Sequence, residues 1–308
     1  MHLIEEKIYP ARSAEILAVG GGKGGVGKTC FAVNLAVEIA SRGWKTIVLD
    51  ADLSCSNVEA VLGVQCSTRL DEFFFQKGRK NLDAIIHDTG YENLRIIPGT
   101  SGLLDVANPR YQLKVALIRE LRKLDADLVI LDLDAGAHFN TLDFFLLAAD
   151  SGVLVITPER TSIDNAFKFL RAALFRRITR FYNSPEVGLL LKRCQSLSEF
   201  IESVRNSNYL EDEIGEQVVV EMTALARSMR PRIVVNKASN VYEAKIAANI
   251  LCKYVKQYLK IEPELLGHLY FDQYVTKAVN SSTPFVVGDP KRKISTCIVD
   301  MANRLGYF

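Results

Sequence analysis

Gly22-Lys23-Gly24-Gly25-Val26-Gly27-Lys28-Thr29 is the stretch that most narrows what this chain can fold into. It fits Gly, four residues, then Gly-Lys-Thr, the pattern of a phosphate-binding loop. Ile16-Leu17-Ala18-Val19 before it reads as a buried strand, and Phe31–Ala40 after it has helical spacing. A loop between a strand end and a helix start aims several backbone N–H groups at one point, where the helix dipole adds positive potential. Glycines let such a backbone curl around phosphate without side-chain clash. Lys28 is then placed to reach the outer phosphates, and the Thr29 hydroxyl to ligate magnesium. The same letters also spell Gly-x-Gly-x-x-Gly, with Asp50 at the end of the next strand, as a dinucleotide-binding unit would. Lys28-Thr29 decides against that reading, because a magnesium–triphosphate site needs both residues and a dinucleotide site needs neither.

Strand-like apolar runs alternate with helix-like segments along all 308 residues. Strands are expected at Ile16–Gly20, Thr46–Leu49, Leu94–Ile97, Leu128–Leu131, Gly152–Thr157, Arg232–Asn236 and Leu266–Tyr270. Several are unbroken Val/Ile/Leu runs, as in a parallel sheet covered on both faces. Helices are expected at Tyr111–Leu124 and Val241–Tyr258. The alternation predicts a doubly wound α/β fold with ligands at the carboxyl ends of the strands. One domain over 1–308 is expected, with a helical insertion at 183–230, where strand signal fades. Leu197–Val204 and Val218–Met229 read as two helices broken at Asn206-Ser207-Asn208. They form either an enlarged crossover on the same core or an element that a partner recognises.

Net charge is only +2, so no strong field for nucleic acid is expected. The six cysteines lack Cys-x-x-Cys spacing and read as reduced, mostly buried thiols of a cytoplasmic chain. No apolar run approaches a membrane span, and Met1–Ala14 has no secretory signal pattern. Arg171, Arg176, Arg177 and Arg180 read as a solvated face at a helix C-terminus. The terminal stripe Ile294, Cys297, Ile298, Met301 and Leu305 reads as a core helix with Asp289-Pro290 as its cap and first turn. The competing reading, with basic residues 291–293 before it, is a helix lying on anionic membrane.

Three further segments fit a nucleotide site. Asp50-Ala51-Asp52 leaves the second strand with two carboxylates on one side. They are placed to hold a magnesium water and orient an attacking water, or they simply face solvent. Leu128-Val129-Ile130-Leu131-Asp132 is an apolar strand closed by an acid, the Walker B form, with Asp132 directed at magnesium-bound water. Thr29, Asp50 and Asp132 are thus the candidate metal set. Gly136, four residues on, offers an N–H to a γ-phosphate. Asp134 between them is an extra acid, repelled by triphosphate unless it faces away or binds cation. Ile233-Val234-Val235-Asn236-Lys237-Ala238-Ser239 has Asn-Lys but lacks the following acid that would read guanine, which favours ATP over GTP.

The loop as a whole, with its early Lys23, resembles the deviant Walker A loop of the MinD/ParA family of dimerising ATPases. The likeness implies a P-loop NTPase fold of the SIMIBI type. It implies that Lys23 crosses to the partner's phosphates in a nucleotide-sandwich dimer, much as an arginine finger does. The bland alternative is a solvated loop lysine. The loop backbone of Gly24, Gly25, Val26, Gly27, Lys28, Thr29 and Cys30 would hold the nucleotide. Asp50 would lie near the metal through water, Asp52 would position or activate the hydrolytic water, and Asn57 would approach the dimer interface. Asn236 would read adenine, and Asp272, in Phe271-Asp272-Gln273-Tyr274-Val275, would close over the base. Ser54 stands where the family usually has glycine. Asp50-Ala51-Asp52…Ser56-Asn57-Val58-Glu59-Ala60-Val61-Leu62-Gly63, Leu94–Gly99 and Ile156–Ile163 resemble the MinD-like branch that includes the FlhG/FleN flagellar-number regulators.

The expectation is therefore an ATPase that uses magnesium and dimerises on ATP. Slow, effector-stimulated hydrolysis would time the placement of a flagellum, a division site or a cargo. A protein effector is the expected partner, with recruitment to a pole or the inner membrane surface a further option. The competing functions are an ATP-dependent binding module with negligible hydrolysis and a small-molecule amidase or ligase of the same fold.

Overall fold

A computed structural model of the protein describes residues 13–53, 56–75, 81–101, 109–148, 152–205 and 212–308. Residues 1–12, Ser54 and the expected break at Asn206-Ser207-Asn208 lie outside them. Eight strands form one sheet: β1 Glu15–Gly21, β2 Thr46–Ala51, β3 His87–Asp88, β4 Leu94–Ile97, β5 Leu128–Ala135, β6 Val153–Ile156, β7 Arg232–Ala238 and β8 Glu264–Tyr270. Their order is β3-β4-β2-β5-β1-β6-β7-β8. All neighbours run parallel except β3, which pairs antiparallel with β4 through His87↔Ile96 and Asp88↔Arg95. The predicted doubly wound, mostly parallel sheet is therefore present. β1 lies between β5 and β6; its own crossover runs toward β2, whereas that of the neighbouring β6 runs the other way, toward β7. That makes the carboxyl end of β1 the switch point, where a crevice opens in such sheets.

Unbroken apolar runs follow from burial on both faces. Along β1, Ile16 and Ala18 enter one apolar layer while Leu17 and Val19 enter the other. Among the described residues five helices cover the second layer: α1 Lys28–Ser41, α2 Val58–Leu62, α11 Gln273–Asn280, α12 Phe285–Gly288 and α13 Lys293–Arg304. The first layer is covered by α3 Leu70–Phe75, α4 Tyr111–Leu121, α5 Phe139–Ala148, α6 Arg160–Tyr182, α7 Pro185–Arg193, α8 Leu197–Arg205, α9 Asp212–Arg227 and α10 Val241–Leu259.

Among the described residues the 183–230 stretch holds three helices where the sequence points to two. Ser184 opens the additional one: its side chain accepts a hydrogen bond from Val187 N at 3.3 Å, with Pro185 in the first turn. Phe200, Val204, Met222, Ala226 and Met229 enter the same apolar layer as the sheet. α8 packs on α9 and α10, and α9 on α6.

Two readings of surface features need correction. The arginines do not form a simple solvated face. Arg176 and Arg180, with Lys114 from α4, converge on the buried Asp143 of α5 at 3.0, 2.9 and 2.8 Å. Burial and the two arginine charges push the Lys114 ammonium below the usual lysine range, against the pull of Asp143. The terminal helix starts at Lys293 with Arg292 as its N-cap, so Asp289-Pro290 forms a preceding turn. Its apolar stripe is core: Ile294, Cys297, Ile298 and Met301 are buried against α1 and β8. Among the described residues no helix is long and apolar enough to cross a membrane.

Candidate nucleotide-binding site

The β1–α1 turn lies at the switch point with Gly27 as the N-cap of α1. Two of its glycines are required by contact. A Cβ on Gly22 would lie 2.3 Å from the Asn165 carbonyl oxygen on α6. Gly27 has φ 92°, and a Cβ there would meet the Asn236 amide at 2.2 Å. From β7, Asn236 Nδ2 donates to Val26 O at 2.8 Å and Lys237 Nζ donates to Gly25 O at 2.9 Å. Lys237 N donates to Asn236 Oδ1 at 2.8 Å, which orients that amide. With those two carbonyls tied to β7, the loop is held curled from outside. Lys237 takes φ 59°, a conformation rare for lysine. Sequence alone assigns Lys237 no role, although it stands next to Asn236.

Lys28 and Lys23 diverge. Lys28 is buried beside Asp132, whereas Lys23 is exposed, its Nζ 3.5 Å from Thr161 Oγ1 in the first turn of α6. Asp132 ends the apolar run of β5 beside Asp50 of β2, its register partner. Burial, reinforced by the Asp50 charge, pushes the Asp132 carboxyl up to about 8, while the Thr29 hydroxyl and the Lys28 charge pull it down. Its Oδ1 is buried without a partner among the described residues. An orphaned carboxylate oxygen beside a threonine hydroxyl and a second acid is the environment a hard cation satisfies, so the residues fit magnesium.

Asp50 is more committed than the sequence implied. Its Oδ2 accepts from Ser56 Oγ at 2.6 Å, Asn57 N at 2.8 Å and Val58 N at 3.0 Å, and its Oδ1 from Asp52 N at 3.1 Å. It thereby satisfies N–H groups at the start of α2 from inside the sheet. Burial raises its proton affinity, and those four bonds oppose the shift. Asp52 is half-buried at the mouth and Asn57 is exposed. Gly136, at φ 84°, donates its N–H to Gly21 O at 3.0 Å, so this group is engaged within the fold. Asp134 is half-buried, and its Oδ1 accepts from Ala135 N.

A cavity of about 270 Å³ adjoins the loop on the β7–β8 side, lined by Gly25, Gly27, Cys30, Asn236, Lys237 and Phe271 among others. Burial raises the Cys30 thiol to about 12, so it contributes shape and no nucleophile. Asp272 also lines the cavity, but its carboxylate is occupied. It caps α11 through Tyr274 N at 2.9 Å and takes Arg292 at 2.6 and 3.1 Å. The structure thus brings the loop, Asp50, Asp132 and Asn236 together, leaves Lys23 and Asn57 on the surface, and ties Asp272 and Gly136 to other partners.

Residues 14–183 match the AAA domain family AAA_31, and the chain belongs to that family. Within it the chain is a MinD/ParA-like member resembling FleN. The antiactivator FleN of Pseudomonas aeruginosa is 32% identical over 183 residues, 56% of this chain and 64% of that protein. The septum site-determining protein MinD of Escherichia coli is 30% identical over 158 residues, 51% of this chain and 58% of that protein. The matches thus span less than two thirds of these curated relatives. The MinD of Pyrococcus horikoshii, solved with Mg-ADP, has the same fold: TM-score 0.64 at 19% identity, covering 95% of this chain and 96% of that one.

Proposed function

We propose that this protein binds ATP between the β1–α1 loop and the tips of β7 and β8, dimerises in the ATP state, and hydrolyses ATP slowly. The cycle would time the positioning of a cellular structure, as implied by likeness to FleN and MinD. The carrying observation is the divergence of the two loop lysines. Lys28 is buried toward its own site and Lys23 is exposed, available to the nucleotide of a second subunit. Thr29, Asp132 and Asp50 would hold magnesium, which when bound neutralises charge on the phosphates. The loop N–H groups bind and orient the phosphates, and Asn236 contacts adenine. Asp52, its backbone anchored on Asp50, orients the attacking water. Residues 1–308 would act as one ATPase domain, with 183–230 as a helical insertion. Relatives solved with Mg-ADP, with AMPPNP and with ATP support the choice of ligand. A solved MinC:MinD complex supports a protein partner.

The test is solution mass by light scattering with ADP, then with ATP and magnesium, on wild type and Asp52→Ala. The variant is expected to double in mass with ATP alone. No change in either protein with any nucleotide would end the dimer reading. A second reading, nucleotide binding with negligible turnover, draws on the Gly136 N–H being engaged by Gly21 O. Absence of phosphate release from wild type at saturating ATP would favour it.

A further inference from the structure

α10 presents two apolar faces, and only one of them is used by the fold. Ala244, Ala247, Ala248, Leu251, Val255 and Leu259 pack on the sheet layer. Beside that face, Tyr242, Ile246, Ile250, Tyr254 and Tyr258 follow one another at intervals of four and are 75, 41, 41, 49 and 37% exposed. Five large apolar side chains in a continuous row are more than scattered surface hydrophobics. The rings are ordered among themselves: Tyr254 stacks on Tyr258 at 6.1 Å, and Tyr258 meets Phe167 of α6 edge-on at 6.4 Å. The row borders a cleft of about 750 Å³ between α6, α8 and α10, with Ile163, Phe167 and Leu251 in its lining.

Shape and charge select the occupant. A ridge of residues four apart meshes with a second helix through the same kind of row, crossing at roughly −50°. The row from 242 to 258 is about 24 Å long at the helical rise, the length of a four- to five-turn partner helix. A concave cleft receives a cylinder better than a flat bilayer does. Lys168 of α6 lines the cleft and Lys245 and Lys253 of α10 are exposed, none of them in an ion pair among the described residues, whereas the two acids of the lining are engaged, Asp164 with Arg160 at 4.0 Å and Glu199 with Gln195 N at 2.6 Å. Two copies of this face would set lysine against lysine, which disfavours self-association.

We infer that the α6–α8–α10 cleft and the Tyr242–Tyr258 row are the docking site for an amphipathic helix of a partner protein, apolar on one face and acidic on its flanks. This is helix-in-groove recognition. The cleft also reaches Pro158 and Arg160, and Thr161, next to Arg160 in the first turn of α6, contacts Lys23. Docking itself does not depend on the nucleotide reading. Its effect on Lys23 rests on that reading and provides a route by which the partner biases dimerisation.

The test uses the full chain and a synthetic helical peptide of about 17 residues, with leucine at every fourth position and glutamate on both flanks. Its counterpart carries lysine for each glutamate. Fluorescence anisotropy of labelled peptides gives the affinities. The acidic peptide is expected to bind wild type at least about tenfold more tightly than the basic one. Ile250→Ala with Tyr254→Ala should weaken it by about tenfold or more. Lys245→Glu with Lys253→Glu, on exposed positions that do not support the fold, should reverse the preference. Equal binding of both peptides, or an unchanged affinity in the ridge variant, would overturn the proposal. So would binding to phosphatidylglycerol vesicles, or a concentration-dependent rise in mass without nucleotide, if either disappears with the ridge variant. ATP affinity measured on the same samples separates the two readings, because loss of ATP binding in wild type leaves the peptide result standing.

Discussion

Asp143→Asn removes the carboxylate at the centre of the cluster that ties α4, α5 and α6 together. Three cations face that single group, and their environments differ. The Lys114 side chain is 3% exposed, whereas those of Arg176 and Arg180 are 27 and 24% exposed. The arginines also rest on aromatic faces, Arg176 on Phe139 and Arg180 on Tyr111. With Asp143 neutral, both can turn toward water, but Lys114 is left charged, buried and beside two like charges. Breaking a buried pair by removing one partner costs about 3–5 kcal/mol, and the lower end applies because the arginines can relax. The converse change is cheap. Lys114→Met removes a desolvated ammonium and leaves Asp143 with two guanidinium partners, so the cost should stay below about 1 kcal/mol. Urea unfolding of the two variants, compared at equal m value, measures the difference. If Lys114→Met proves as costly as Asp143→Asn, or if Asp143→Asn costs under about 1 kcal/mol, the three cations do not depend unequally on Asp143.

Two other outcomes can be checked quickly. Gly22→Ala places a methyl group 2.3 Å from a carbonyl oxygen of α6, so the loop or the helix must move. Overpacking of this kind costs about 1–3 kcal/mol, and calorimetric ATP affinity should fall by about tenfold, whereas Gly24→Ala, with its nearest neighbour at 3.9 Å, should be far milder. His268 is held below the usual histidine range by burial and by Arg304 and Lys293, and its Nε2 is buried without a partner among the described residues. The unfolded chain therefore takes up this proton first. The residue's contribution is present above about pH 6.5 and is lost as pH falls through the depressed native value. The urea midpoint should drop between about pH 7 and pH 5, and His268→Gln should flatten that slope; an unchanged slope would refute the assignment.

What could be read from the sequence was governed by short-range chemistry. Ile16–Gly20 and Leu128–Leu131 were legible because a strand buried on both faces needs an unbroken apolar run. Thr29 and Asp132 were legible because position at a strand or loop end fixes their direction. β3 was not, since His87-Asp88 has no apolar run and exists only by pairing with β4. The first helix of the 183–230 stretch was missed despite its Ser184-Pro185 start signal. The arginines of α6 looked solvated because their partner, Asp143, is more than thirty residues away in sequence. Asp272 was placed near the site, but the partner that occupies it, Arg292, lies twenty residues downstream. Asp50 was read as a site acid, while its four hydrogen bonds to the following turn depend on how that turn folds back.

The bonds from Asn236 and Lys237 to the carbonyls of Val26 and Gly25 carry one more implication. These bonds belong to the fold itself, so the ordering entropy of the loop they hold is borne by folding and not by binding. The β7 tip, whose asparagine is the candidate for recognising the base, therefore also sets how well the loop grips phosphate. Substitutions there should weaken inorganic pyrophosphate, a ligand with no base at all, and a change in base preference at these two positions would be inseparable from a change in phosphate affinity.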